Sequence, residues 1–115
     1  MRIVYASSEM APYAKTGGLA DVSAALPKAL AALGHEVTCF LPRCQAIPFP
    51  PGRFLGSVHV PVDSLNRSAG FYEKELAQNL RVVFVEHPPF FDRDGFYGDS
   101  NGDFRDNEFR FAFFC

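Results

Sequence analysis

The chain has 115 residues, 13 acidic against 11 basic side chains, a formal net charge of −2, and 48% hydrophobic residues. That length and composition suit one small globular domain with a real core. The mild negative charge leaves no electrostatic footprint for nucleic acid or an anionic membrane surface, and no apolar run is long enough to span a bilayer.

Met1-Arg2-Ile3-Val4-Tyr5 passes directly into a strand-like run. It lacks the charged-then-apolar form of a signal peptide, so a cytoplasmic location is expected. Cys39, Cys44 and Cys115 are an odd number without framework spacing, which argues against a disulfide scaffold. Cys39 sits in an apolar run and reads as core. Cys39-x-x-x-x-Cys44 has no second Cys or His pair to complete a zinc site, and no metal is expected.

In chain order, residues 2–6 form a first strand, uniformly apolar enough to suggest the centre of a parallel sheet. Residues 7–14 are a loop broken by Pro12. Glu9 within it is either a solvated acid or helix-end partner, or an acceptor for a sugar hydroxyl at the carboxyl edge of the sheet. Lys15-Thr16-Gly17-Gly18-Leu19-Ala20-Asp21 follows, between the first strand and a long amphipathic segment. Two adjacent glycines allow a tight turn with φ > 0 and bring bare backbone close to a ligand. The amides opening the next helix have no partner inside it, and the helix dipole favours an anion there. Lys15 adds a mobile ammonium, so the stretch suits a nucleotide phosphate as well as a plain turn. It matches neither the P-loop, whose lysine follows the glycines, nor the G-x-G-x-x-G fingerprint.

The helix expected over residues 19–33 carries Leu19, Val22, Leu26, Ala29, Leu30 and Leu33 at helical spacing. Pro27 interrupts it and Gly34 ends it as a left-handed cap. Asp21 falls in its first turn, where a carboxylate suits the dipole whatever else it does. Residues 36–41 make a second strand, parallel to the first through a right-handed crossover. Pro42 stops it, and Pro48, Pro50 and Pro51 mark a surface loop. Residues 53–62 and 70–76 read as a hairpin inserted on the parallel scaffold, with His59 on a strand face. Residues 80–85 are a buried strand ended by His87-Pro88-Pro89.

The loop over residues 90–103 is rich in Asp and Gly but is not a calcium loop. Counting from Asp99, the sixth position is Phe104 and the twelfth Arg110, where glycine and glutamate are required. Asp106-Asn107-Glu108 reads as a capped helix start before Phe109, Ala112 and Phe113. The chain stops barely two turns later, as a fragment would.

Ser7-Ser8-Glu9-Met10-Ala11-Pro12-Tyr13-Ala14-Lys15-Thr16-Gly17-Gly18-Leu19-Ala20-Asp21-Val22 strongly resembles the opening of bacterial glycogen synthases and plant starch synthases. Further matches are Leu26-Pro27-Lys28-Ala29-Leu30, Gly34-His35-Glu36-Val37, Phe91-Asp92-Arg93-Asp94-Gly95 with Tyr97-Gly98, and Asp106-Asn107 before Arg110-Phe111. The resemblance implies an α/β fold with a Rossmann-like parallel sheet. It also implies that residues 1–115 are an incomplete N-terminal domain of a two-domain GT-B glycosyltransferase. The implied activity is retaining transfer of glucose from ADP-glucose to the non-reducing end of an α-1,4-glucan, without a cofactor. The implied partners are those two substrates, with no nucleic acid and no membrane.

By the same resemblance, Lys15, Gly17 and Gly18 contact the pyrophosphate. Asp21 orders Lys15 or the ligand, Glu9 faces the sugar, and Tyr97 is a substrate contact or an ordinary loop aromatic. The family's other pyrophosphate-gripping residues, its glucose-side glutamate and its sugar-side histidine fall beyond residue 115. No residue here is therefore assigned as catalytic acid, base or nucleophile. A non-catalytic Rossmann-like module that binds a nucleotide or glucan is the alternative.

Overall fold

Three apolar runs lie side by side as parallel strands: β1 (Arg2–Ala6), β2 (Glu36–Pro42) and β5 (Leu80–Glu86). The computed structural model describes residues 1–62 and 64–115. Between β1 and β2 runs helix α1 (Gly18–Ala32), and between β2 and β5 stand β3 (Arg53–Val62) and β4 (Leu65–Ala77). Helix α2 (Pro88–Phe91), the short pair β6 (Gly98–Asp99) and β7 (Gly102–Asp103), and helix α3 (Asn107–Phe114) complete the chain. The main sheet has the order β1-β2-β5-β4-β3.

The hairpin expected after the proline-rich loop is present and longer than its sequence suggests. β4 starts at Leu65, and it pairs antiparallel both with β3 and with β5. The hairpin therefore extends the parallel core into a mixed sheet. A bulge between Phe54 and Gly56, where Gly56 has φ 144°, lets β3 bend along its partner.

Among the described strands β1 has one neighbour, β2. Val4 is 72% exposed on the face away from α1, while Ile3 and Tyr5 are half-buried beneath the helix. An apolar run shows that a strand has no polar face; it does not say which strands flank it.

One sequence expectation is corrected here: apart from Leu30, which packs against the core, α1 does not turn its large side chains inward. Ala20, Ser23, Pro27 and Ala31 are the buried positions, whereas Leu19, Val22, Leu26 and Leu33 are exposed. Small residues let the helix axis come close to the sheet, and that approach allows Ser23 Oγ to meet Ser7 Oγ at 2.9 Å and Tyr5 Oη at 3.4 Å. The helix continues through Pro27 and ends as expected at Gly34, with φ 93° and amides of Gly34 and His35 bonded to Ala31 and Leu30.

One core fills the space between α1 and the sheet, around Val37, Cys39, Leu41, Val82 and Phe84. Cys39 is fully buried, as its sequence context suggests, and burial pushes its thiol up to about 11. A second cluster lies on the opposite face, where Phe90 and Phe91 of α2 and Phe113 of α3 pack on Val85 and Ala69. Pro88, at the first position of α2, has no amide to leave unsatisfied there.

The packing of α1 has a direct test. Ala20→Leu should lower unfolding free energy by about 1–3 kcal/mol through overpacking, while Leu26→Gln should stay within about 0.5 kcal/mol. Urea unfolding midpoints of the two variants check this. The reverse order would mean that the leucine stripe is the packed face.

Candidate functional site

The loops that leave the carboxyl ends of β1, β2 and β5 emerge on one side of the sheet. Open α/β sheets bind their ligands at that edge. Backbone bonds extend the ladders into these loops, from Ser7 N–H to the Phe40 carbonyl and from Arg43 N–H to the Val85 carbonyl. The loop after β1 is pinned at both ends. Met10 and Ala14 exchange two backbone bonds of 3.0 and 2.9 Å, and Ala11 N–H reaches the Ala20 carbonyl at 3.0 Å. Ser7 Oγ donates to the Glu9 carbonyl at 2.8 Å.

These bonds hold Glu9 in a buried position, 4% exposed. Its Oε1 accepts the Thr16 amide at 2.6 Å, and its Oε2 accepts the Tyr97 hydroxyl at 2.6 Å. The Tyr97 oxygen also lies 2.8 Å from Ser8 Oγ, which must donate because the tyrosine proton is already committed to Glu9. Burial alone would raise the Glu9 carboxyl, but the Tyr97 hydroxyl and the Thr16 and Gly17 amides outweigh it and hold it below the ordinary glutamate range. Tyr97 moves the other way: burial and the carboxylate it serves push its phenol up.

Lys15 and Asp21 form an exposed pair, with Nζ at 2.9 and 3.0 Å from the two carboxylate oxygens. Their side chains are 53% and 60% exposed. The ammonium is thus tethered beside the start of α1, where Gly17 is the N-cap and no side chain bonds to the first-turn amides. A Cβ added at Gly17 or Gly18 would meet nothing within 4 Å. The backbone there borders open space, which leaves room for a ligand against bare amides. The tight positive-φ turn expected at these glycines is absent: Gly17 has φ −166°, extended backbone that any residue adopts. Their role in this structure is to leave space.

Tyr97 reaches Glu9 from a loop that is itself braced. Its ring packs on Phe111 of α3 at 5.9 Å between centroids. Its carbonyl accepts the Phe104 amide at 2.9 Å and Asn107 Nδ2 at 2.8 Å. Arg110 donates to Asn107 Oδ1 at 2.6 Å and to the Phe90 carbonyl at 2.7 Å. Burial, with Arg93 nearby, pushes the Arg110 guanidinium below its ordinary value. Arg93 grips Asp106 with two bonds of 2.8 and 2.6 Å. Asp106 therefore occupies the N-cap position of α3 without capping it, because its carboxylate is engaged by the guanidinium.

Of the candidate residues, Glu9 and Tyr97 are in direct contact, and Glu9 is joined to the glycine stretch through Thr16. Lys15 and Asp21 are joined to each other. Ser8, Thr16, Asn107 and Arg110 lie in the stretches that carry the resemblance but have no site role readable from sequence. Asn107 was visible as part of a helix start, but nothing local connects it to a tyrosine ten residues earlier. Among the described residues no cluster of His, Cys, Asp and Glu has the form of a metal site, and no helix is long and apolar enough to cross a membrane.

Comparison with known proteins places this geometry in a family. The family model described as the starch synthase catalytic domain matches residues 2–115. A glycogen synthase from Koribacter versatilis is 42% identical over 115 residues, spanning 99% of this chain and 24% of the relative. One from Geotalea uraniireducens is 41% identical, spanning all of this chain and again 24% of the relative. In three dimensions the chain is similar to the catalytic domain of starch synthase IV from Arabidopsis thaliana bound to ADP and acarbose. That match has TM-score 0.76 and 35% identity, covering 96% of this chain and 23% of that one. The chain thus spans about a quarter of the length of the relatives it matches. Over that span, sequence and geometry agree that the chain belongs to the starch synthase catalytic domain family.

Proposed function

We propose that these residues form part of the N-terminal, Rossmann-like half of a two-domain glucosyltransferase. The enzyme moves glucose from ADP-glucose to the non-reducing end of an α-1,4-glucan with retention of configuration. The observation that carries this reading is the Lys15 ammonium, tethered beside two glycines whose backbone stands open at a helix N-terminus. The starch synthase with the similar fold binds ADP and acarbose, a nucleoside diphosphate and a glucan-like sugar, which agrees with such a site.

Loss of ADP from the donor leaves negative charge growing on the pyrophosphate. Donors fixed where that charge appears lower the barrier. Lys15 and the Gly18 amide supply them on this side of the cleft, while Gly17, whose amide serves Glu9, leaves the room for the ligand. Asp21 meets the ammonium with both carboxylate oxygens in the resting arrangement. The exposed pair is worth only about 0–1 kcal/mol, so a phosphate can compete for the ammonium. Tyr97 borders the sugar side, and Glu9, buried behind it, fixes the turn that carries Lys15.

In the enzyme that contains this chain, Lys15→Ala should lower kcat with ADP-glucose on the order of a hundredfold, and Lys15→Gln should recover little because shape returns without charge. Steady-state glucose incorporation into glycogen measures both. Near-normal kinetics in the two variants would remove Lys15 from the site.

A second expectation concerns pH. The Glu9 carboxyl is depressed in the fold, so the stability it contributes is present at neutral pH, above the ordinary glutamate pKa. That stability is lost as pH falls through the lowered value. The stability gap between the native protein and Glu9→Gln, followed by chemical unfolding, should therefore narrow on acidification below the ordinary glutamate range. A gap that widens with acid would reverse the sign assigned to this group.

A further inference from the structure

We propose that Asn107 and Arg110 of α3 are positioning residues for Tyr97, and that through the Tyr97–Glu9 bond they set the glycine turn that carries Lys15. The proposal rests on the reading of Tyr97 and the glycine turn as parts of the substrate site. It adds two residues that reach the turn only through Tyr97 and Glu9.

The connection is continuous. Arg110 donates to Asn107 Oδ1, Asn107 Nδ2 donates to the Tyr97 carbonyl, the Tyr97 hydroxyl donates to Glu9, and Glu9 accepts the Thr16 amide. Its four bonds measure 2.6, 2.8, 2.6 and 2.6 Å. Direction is fixed at every link. A guanidinium has donors only, so Asn107 must present its oxygen to Arg110 and its NH₂ to the carbonyl. The other end of Arg110 is anchored on the Phe90 carbonyl at 2.7 Å, and its charge lies among the rings of Phe91, Phe104 and Phe111 at 5.7, 4.9 and 5.4 Å.

Arg110 is 2% exposed and no carboxylate forms an ion pair with it among the described contacts; the nearby Asp106 is held by Arg93. A buried cation without an anion is costly for the fold. An aliphatic side chain would fill the same place among three phenylalanines at lower cost, but it could not hold the Asn107 amide in one orientation. What the guanidinium supplies there is direction. Asn107 passes that direction to Tyr97, whose carbonyl takes two donors and whose ring is stopped by Phe111. The phenol therefore arrives at Glu9 from a fixed backbone, and not from a loop free to swing.

The test uses Asn107→Asp in the enzyme that contains this chain. Aspartate keeps an acceptor for Arg110 and adds a charge partner, so α3 stays folded. It sets an oxygen against the Tyr97 carbonyl where a donor stood. The readouts are hydrogen exchange at the Thr16 amide, exchange within α3 as a folding control, and kcat/KM with ADP-glucose and glycogen. Expected are a loss of protection at the Thr16 amide and a fall in kcat/KM, each about tenfold, with α3 unchanged. In a Tyr97→Phe background the same substitution should change kcat/KM by less than about twofold, because the link it acts through is already cut.

Unchanged protection at the Thr16 amide would overturn the proposal, and so would effects of Asn107→Asp and Tyr97→Phe that simply multiply. If protection is lost while Tyr97→Phe alone keeps normal kinetics, the link from α3 to the glycine turn stands. The assignment of Tyr97 to the substrate site then falls by itself.

Discussion

The Glu9 carboxylate is the point on which the site depends. It is buried, it is ionised, and each of its oxygens has one short bond to a different part of the chain. An ionised carboxylate away from water is unfavourable unless its lone pairs are used. Here the Thr16 amide and the Tyr97 hydroxyl use them, and the cost of burial becomes a constraint that aligns two loops. Without the carboxylate, the Thr16 amide would lose its partner at the entrance to α1, and the tyrosine hydroxyl would lose the acceptor that orients it. One side chain thus joins the loop after β1 to the loop before α3.

That junction forms because the sheet brings its carboxyl ends together. β1, β2 and β5 run parallel, so the loops that follow them share an edge although they are far apart in sequence. The antiparallel hairpin β3–β4 joins on the far side of β5, away from β1. α1 contributes by its small buried face: with Ala20 and Ser23 against the sheet, its N-terminus is drawn close enough for Ala11 to bond the Ala20 carbonyl. A helix seated on leucines would stand farther out, and the loop would have to span a wider gap.

Local features were legible in the sequence and distant ones were not. The strand–turn–helix order, the Gly34 cap, the hairpin and the buried Cys39 follow from periodicity, turn chemistry and apolar runs, all of which act within a few residues. The face of α1 was misjudged because helical spacing ranks residues by hydrophobicity, while close packing on a sheet also selects for small size. Asp106 stands where a cap residue should, yet a guanidinium thirteen residues away offers two charge-assisted bonds and wins its carboxylate from the helix amides. Glu9 and Tyr97 are 88 residues apart, and no local pattern could pair them. Their joint candidacy came from family resemblance; their contact comes from the fold.

The two ion-containing contacts of the site differ in solvent exposure, and that difference assigns them different work. Glu9 is shielded, so its bonds to Thr16 and Tyr97 are little screened and hold one geometry. Lys15 and Asp21 are more than half exposed, so water and salt weaken their attraction and the ammonium can change partner at small cost. The proposed phosphate site would need both properties: a turn that does not move, and a cation that can. Exchanging the two environments would defeat it. A buried Lys15–Asp21 pair would retain its own carboxylate against the incoming phosphate. An exposed Glu9 would release the turn that sets where the cation stands.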